Sequence, residues 1–109
     1  MKFKISPKEA NEKLLEDNEF PFVVVMKHGT MSLEYFAPVK SDTQTPHKQD
    51  ELYVVIKGDG FFFRDGERVA CKKGDVLFVP AGMEHRFENF SDDFATWVIF
   101  YGPDGGEEE

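Results

Sequence analysis

The chain has 109 residues, 40% of them hydrophobic, and a formal charge of −8, enough for one compact core with no second core beside it. A pI near 4.8 repels phosphate backbones and anionic membranes, which excludes nucleic acid and lipid surfaces as expected partners. Cys71 is the one cysteine and cannot close an internal disulfide. The start MKFKISPKEA lacks the apolar stretch of a secretion signal, and FPFVVVM is far short of the roughly 20 residues that cross a bilayer, so a cytoplasmic location is expected.

Residues 1–19 read as a strand followed by a helix. Ser6-Pro7-Lys8-Glu9 places a cap residue, a proline at the first helical position and a glutamate that can reach back, so SPKEANEKLLED predicts a short helix. After it the helical period ends. Aromatic and β-branched runs follow, broken by turn residues: FPFVVVMKHG, MSLEYFAP, ELYVVIKG, GFFFRDGERVAC, GDVLFVPAG, EHRFENF and FATWVIFY. Asp65-Gly66 is a two-residue hairpin signal, and Lys73-Gly74-Asp75, Pro80-Ala81-Gly82 and Ser91-Asp92-Asp93 are turns. Residues 20–102 therefore predict an all-β sandwich or barrel of largely antiparallel strands. The tail 103–109, GPDGGEEE from Gly102 onward, is acidic and polar and is expected to be disordered.

TPHKQDELYVVIKG, Thr45 to Gly58, carries the first candidate ligands. Pro46 and the apolar run after Glu51 argue for extended chain, in which His47 and Glu51 stand roughly 13 Å apart. Two ligands of one ion lie only about 3–4 Å apart. The chain must therefore bend at Lys48-Gln49-Asp50, a stretch polar enough for a turn or bulge. His85, after the Pro80-Ala81-Gly82 turn, can complete the set from a neighbouring strand.

GDVLFVPAGMEHRFEN, Gly74 to Asn89, resembles the second motif of the cupin superfamily through Gly74, Pro80, Gly82, His85 and Asn89. TPHKQDELYVVIKG resembles the first motif, aligned on Glu51 and Gly58. His47 then takes the place of the second histidine of that motif, Thr45 stands where the first would be, and Val39 where a glycine usually opens it. The resemblance implies a single jelly-roll β-barrel with a short N-terminal helix. It also implies a divalent transition metal (iron, nickel, manganese, zinc or cobalt) held by His47, Glu51 and His85, a two-histidine, one-carboxylate set that leaves positions open for substrate.

Around those three, Gln44, Thr45, Gln49, Tyr53 and Phe87 are expected in supporting or substrate-binding places. Thr45 is a poor ligand because its hydroxyl stays protonated, while a glutamine carbonyl can fill a coordination position. Strand alternation places Tyr53 with Glu51, and Phe87 with His85, on inward faces, with Asn89 beyond. Phe61 and Phe63, Phe78 and Pro80, and Tyr35, Trp97 and Ile99 are further candidate lining residues. Glu34, Tyr53 and Asn89 are candidates for the place of a general acid or base beside the metal; His28 reads as a surface residue and Cys71 as a bystander thiol.

The superfamily implies either an enzyme acting on a small polar metabolite, of dioxygenase, isomerase, lyase or decarboxylase type, or a non-enzymatic barrel that binds a sugar or other small ligand, with or without metal. Whether the chain is an enzyme is left open by its motifs. The habit of cupins to pair through their sheets implies a homodimer, with Phe3 to Ile5 covering an exposed sheet edge.

Overall fold

The computed structural model describes residues 3–17 and 19–108. One helix, α1 (Pro7–Asp17), precedes the strands β1 (Phe22–His28), β2 (Met31–Phe36), β3 (Asp50–Lys57), β4 (Asp59–Arg64), β5 (Glu67–Lys72), β6 (Val76–Val79), β7 (His85–Glu88) and β8 (Ala95–Tyr101). They form a five-stranded sheet in the order β1-β2-β8-β3-β6 and a three-stranded sheet in the order β5-β4-β7, with antiparallel pairing throughout. This is the antiparallel jelly-roll barrel that the motifs imply.

The helix starts where its cap residues put it. The Glu9 N–H donates to Ser6 Oγ at 3.2 Å, the Ser6 hydroxyl donates to Glu9 Oε1 at 3.1 Å, and the Ala10 N–H opens the helical ladder on the Ser6 carbonyl at 3.0 Å. Residues 3–6 form no strand. Instead of extending along a sheet edge, Ile5 turns in to pack with Ala10 and Leu14 of α1 and with Tyr35 and Ala95 of the large sheet. Burial of this apolar side chain under the helix replaces the strand expected there.

The principal core lies between the two sheets, where Tyr53, Val55, Phe62, Val79, Phe87, Phe94 and Val98 interdigitate. The alternation that places Glu51, Tyr53 and Val55 inward along β3 is clear in their burial. For several other strands the expected parity is reversed. Phe62 is the inward ring of β4, while Phe61 and Phe63 lie on the outer face, covered by the guanidinium groups of Arg68 at 3.9 Å and Arg86 at 4.3 Å. On β6, Val79 is buried and Phe78 is exposed. Tyr35 and Trp97 pair across β2 and β8 on the sheet's outer side beneath α1, with Ile99 two residues along on the same face. A strand of only aromatic residues looks the same in either parity, and a shift of one residue exchanges its faces.

The C-terminal tail is hydrogen-bonded to the barrel at Gly105 and Glu107. The Gly105 N–H donates to the Lys48 carbonyl at 2.7 Å and the Glu107 N–H to Asp50 Oδ2 at 2.9 Å. A Cβ at Gly106 would lie 2.9 Å from Asp50 Oδ1, so only a glycine lets the backbone pass this close. The carboxylate of Asp50 supplies the ordering energy that the tail's own composition lacks.

Gly58, which closes the apolar run after Glu51, sits between β3 and β4 at φ +82°. A Cβ there would meet Ser91 Oγ and stand 2.8 Å from the Phe94 Cα. Gly58→Ala is therefore expected to destabilise the fold by about 1–3 kcal/mol, read as a fall of several degrees in the midpoint of thermal unfolding. An unchanged midpoint would show that the β3–β4 corner is free to rearrange.

Candidate metal centre

His47 comes from the irregular segment before β3, Glu51 from the second position of β3 and His85 from the first position of β7. The bend between His47 and Glu51 is held at each of its three residues. The Lys48 carbonyl takes the Gly105 N–H, Gln49 Nε2 donates to the carbonyls of Thr30 at 2.8 Å and Gly102 at 2.9 Å, and Asp50 accepts from the Ala81 N–H at 2.9 Å as well as from Glu107. The Gly82 N–H donates to the His47 carbonyl at 2.8 Å. The loop before β7 is thus tied to the bend before β3, and the two histidines arrive on the same side of the barrel.

One ligand atom from each of His47, Glu51 and His85 lies within 4.8 Å of the others. His85 Nε2 is 2.7 Å from Glu51 Oε1, and His47 Nε2 is 4.0 Å from the same oxygen. Glu51 and His85 are each 1% exposed, yet neither Glu51 oxygen has a hydrogen-bond partner. The 2.7 Å approach of His85 Nε2 makes it an ion-pair partner of this carboxylate when the ring is protonated. A carboxylate stripped of water is costly unless a proton on the neighbouring imidazole or a bound cation compensates it, and two imidazoles beside it form a donor set that suits a divalent transition ion.

The protonation states fit the same use. Burial lowers the His47 pKa, only partly offset by the Glu51 charge, so its imidazole is held neutral. Burial also pulls His85 down, but the adjoining carboxylate and the Met83 carbonyl outweigh it and the net shift is upward. His85 Nδ1 lies 2.9 Å from that carbonyl, which fixes the ring and aims Nε2 at the cluster, as supporting contacts of metal-ligating histidines do.

Gln44 completes the ring. Its Nε2 donates to Asp42 Oδ2 at 2.6 Å, so Oε1 turns toward the cluster, 3.1 Å from His47 Nε2 and 3.0 Å from the Tyr53 hydroxyl that donates to it. The same hydroxyl is 3.0 Å from His85 Nε2. Burial raises the Tyr53 pKa well above its ordinary value, so the phenol remains a donor. Asp42 also accepts from the backbone N–H groups of Gln44 at 3.2 Å and Phe87 at 2.9 Å. The sequence reading did not name Asp42, although Asp-x-Gln is a signature of an aspartate folding back on the backbone two residues on.

Thr45 is exposed and does not line the cavity beside the cluster. Residues 42–47 are irregular, so positions two apart there do not share a face as in a strand. Gln49 is occupied in holding the bend and has no place at the cluster. Phe87 belongs to the core, edge-on to Tyr53 with ring centroids 5.0 Å apart, and braces that tyrosine from behind. Asn89 lies on a separate cleft with Phe61 and Cys71, whose thiol burial pushes up to about 11. His28 is exposed at the end of β1.

The cavity itself measures about 460 Å³ and is walled by Phe22, Glu34, Phe36, Gln44, His47 and Tyr53 among others. Burial, reinforced by the Glu51 charge, raises the Glu34 pKa to about 7. The arrangement offers a buried, anionic donor set at one side of a cavity and an acid of near-neutral pKa at the other.

Comparison with known proteins agrees with the geometry. An uncharacterised protein of Streptomyces coelicolor is 32% identical over 89 residues, 80% of this chain and 85% of that protein. A protein of Drosophila pseudoobscura named acireductone dioxygenase is 39% identical over 57 residues, 48% of this chain but only 30% of its own length. Among solved structures, a Cupin 2 conserved barrel domain protein from Salinispora arenicola superposes with a TM-score of 0.63 at 22% identity, covering 74% of each chain. The family profile described as Cupin domain matches residues 32–101, a span that holds both motifs and all three clustered residues, and the chain belongs to the cupin domain family.

Proposed function

We propose that His47, Glu51 and His85 hold one divalent transition ion and that the chain uses it to bind and transform a small polar metabolite in the adjoining cavity. The observation that carries this reading is the buried Glu51 carboxylate with two imidazole nitrogens, of His85 at 2.7 Å and His47 at 4.0 Å, converging on one of its oxygens. An ion there supplies Lewis acidity, or dioxygen chemistry where the metal is redox-active. The chain's own residues do the rest. Gln44 Oε1, steered by Asp42, takes the place that Thr45 cannot fill, the Tyr53 hydroxyl offers a hydrogen bond to whatever approaches the cluster, and the phenylalanine walls exclude water. The likeness to proteins named acireductone dioxygenase and gentisate 1,2-dioxygenase favours an enzyme of dioxygenase type over a passive binding barrel.

A homodimer accompanies this reading. Strand β6 is an outer strand of the large sheet, and Val76 and Phe78 on it are 59% and 43% exposed. An open edge with apolar side chains invites pairing with a second copy.

The purified protein should carry close to one transition ion per chain by elemental analysis. His47→Ala, His85→Ala and Glu51→Ala should each lose it, Gln44→Ala should retain it with affinity lowered roughly 10–100-fold, and Thr45→Ala should match the parent. A protein that takes up no iron, nickel, manganese, zinc or cobalt sinks the metal reading and leaves the metal-free binding barrel.

Metal affinity should rise with pH. The raised His85 pKa means that without metal this ring keeps its proton to higher pH than a free imidazole, and ligation must displace it. Titration across pH 6 to 8 should show tightening together with proton release; affinity independent of pH would show that His85 is already neutral.

Light scattering at micromolar concentration should report a dimer, and Phe78→Glu should shift it to a monomer with the fold retained. A monomeric parent protein overturns the assembly proposal.

A further inference from the structure

The cavity's far wall has a chemistry of its own. Glu34 on β2 stands opposite Val98 of β8, and Val98 opposite Tyr53 of β3, so Glu34 and Tyr53 occupy one row of the sheet two strand spacings apart, about 9–10 Å between backbones. Both side chains line the same cavity. In the rows on either side stand Phe36 and Phe100, and further along the cavity Phe20 and Phe22, stacked with centroids 5.5 Å apart and both partly exposed.

The charges around this space are of one sign. Among the described residues no lysine or arginine lines the cavity, whereas Glu34 and Asp42 do. Asp42 is committed, since its oxygens accept from Gln44 and from the Phe87 backbone. The Glu34 carboxyl makes no hydrogen bond or ion pair with any described residue. A carboxylate without a partner, set among aromatic faces that present negative charge, attracts an ammonium and repels an anion.

We propose that Glu34, with the rings of Phe20, Phe22, Phe36 and Phe100, forms a subsite for the cationic end of a small amine, whose other end reaches toward His47, Glu51 and His85. This rests on the reading of the cluster as the reactive end of the cavity, and it adds the class of ligand. A phosphate or carboxylate at the same place would meet Glu34 with no counter-charge in the wall. A neutral alcohol would receive one hydrogen bond from the subsite and none of the attraction of the rings.

Three probes of one shape test it: 4-hydroxybenzylamine, 4-hydroxybenzyl alcohol and 4-hydroxybenzoate, titrated calorimetrically into the full chain as purified and again after chelation. At pH 8 the Glu34 carboxyl, raised to about 7, is about nine-tenths ionised. The amine should bind roughly tenfold more tightly than the alcohol, with the benzoate weakest. Glu34→Gln, which keeps the side chain's shape, should bring amine and alcohol to equal affinity without changing metal content. A benzoate that binds as well as the amine, an amine and alcohol that bind alike in the parent protein, a preference that survives Glu34→Gln, or no amine binding at millimolar concentration overturns the proposal. The order of the probes in the parent protein decides even if the variant does not fold. Elemental analysis of the same samples separates the two readings: a protein that prefers the amine but binds no metal refutes the ion and supports the subsite, and one ion per chain without that preference does the opposite.

Discussion

Asp50 is the residue on which both the architecture and the candidate site turn. Its carboxylate takes the Ala81 N–H from the loop after β6 and the Glu107 N–H from the C-terminal tail. The chain leaves the irregular segment carrying His47, makes its bend, and enters β3 at this point. Without donors from two distant segments, an aspartate at a strand entrance would prefer water and the bend would open toward extended chain. His47 and Glu51 would then separate by the length of a strand segment, far beyond the reach of one ion. The hydrogen bonds of the neighbouring Lys48 carbonyl and Gln49 side chain reinforce the same corner, which is why a polar, acidic tail packs here at all.

The second constraint is dielectric. Glu51 sits among Tyr53, Phe100 and the imidazoles, shielded from solvent, and this aromatic surround raises the cost of its charge and the value of any cation brought to it. The ring of Gln44, Tyr53, His47 and His85 around it is held from outside, by Asp42 on one side and by Phe87 and the Met83 carbonyl on the other. Positions are therefore set before a ligand arrives. The barrel also segregates its charge. Arginines 68 and 86 lie over Phe61 and Phe63 on the outer face and pair with Glu88, while Glu34 and Asp42 line the cavity. A strand that alternates phenylalanine with phenylalanine thereby gains two different faces, one for the core and one covered by guanidinium.

Much of this was legible in the residues alone. SPKE announces the helix start and Asp65-Gly66 the β4–β5 hairpin, while the side-chain period of β3 puts Tyr53 on the face of Glu51. These are local signals: a cap, a two-residue turn and a fixed side-chain period act within a few residues and survive in any context. The face of a phenylalanine-rich strand, the position of Thr45 outside the cavity, the use of Gln49 as a brace and the ordering of the tail were decided by tertiary structure. Each depends on which partner lies across the barrel, from Asp42 against Phe87 to Asp50 against Glu107. Contacts between residues 45 or 57 positions apart leave no periodicity in the sequence, because the free energy that selects them resides in the packed interior and in the hydrogen bonds that close it.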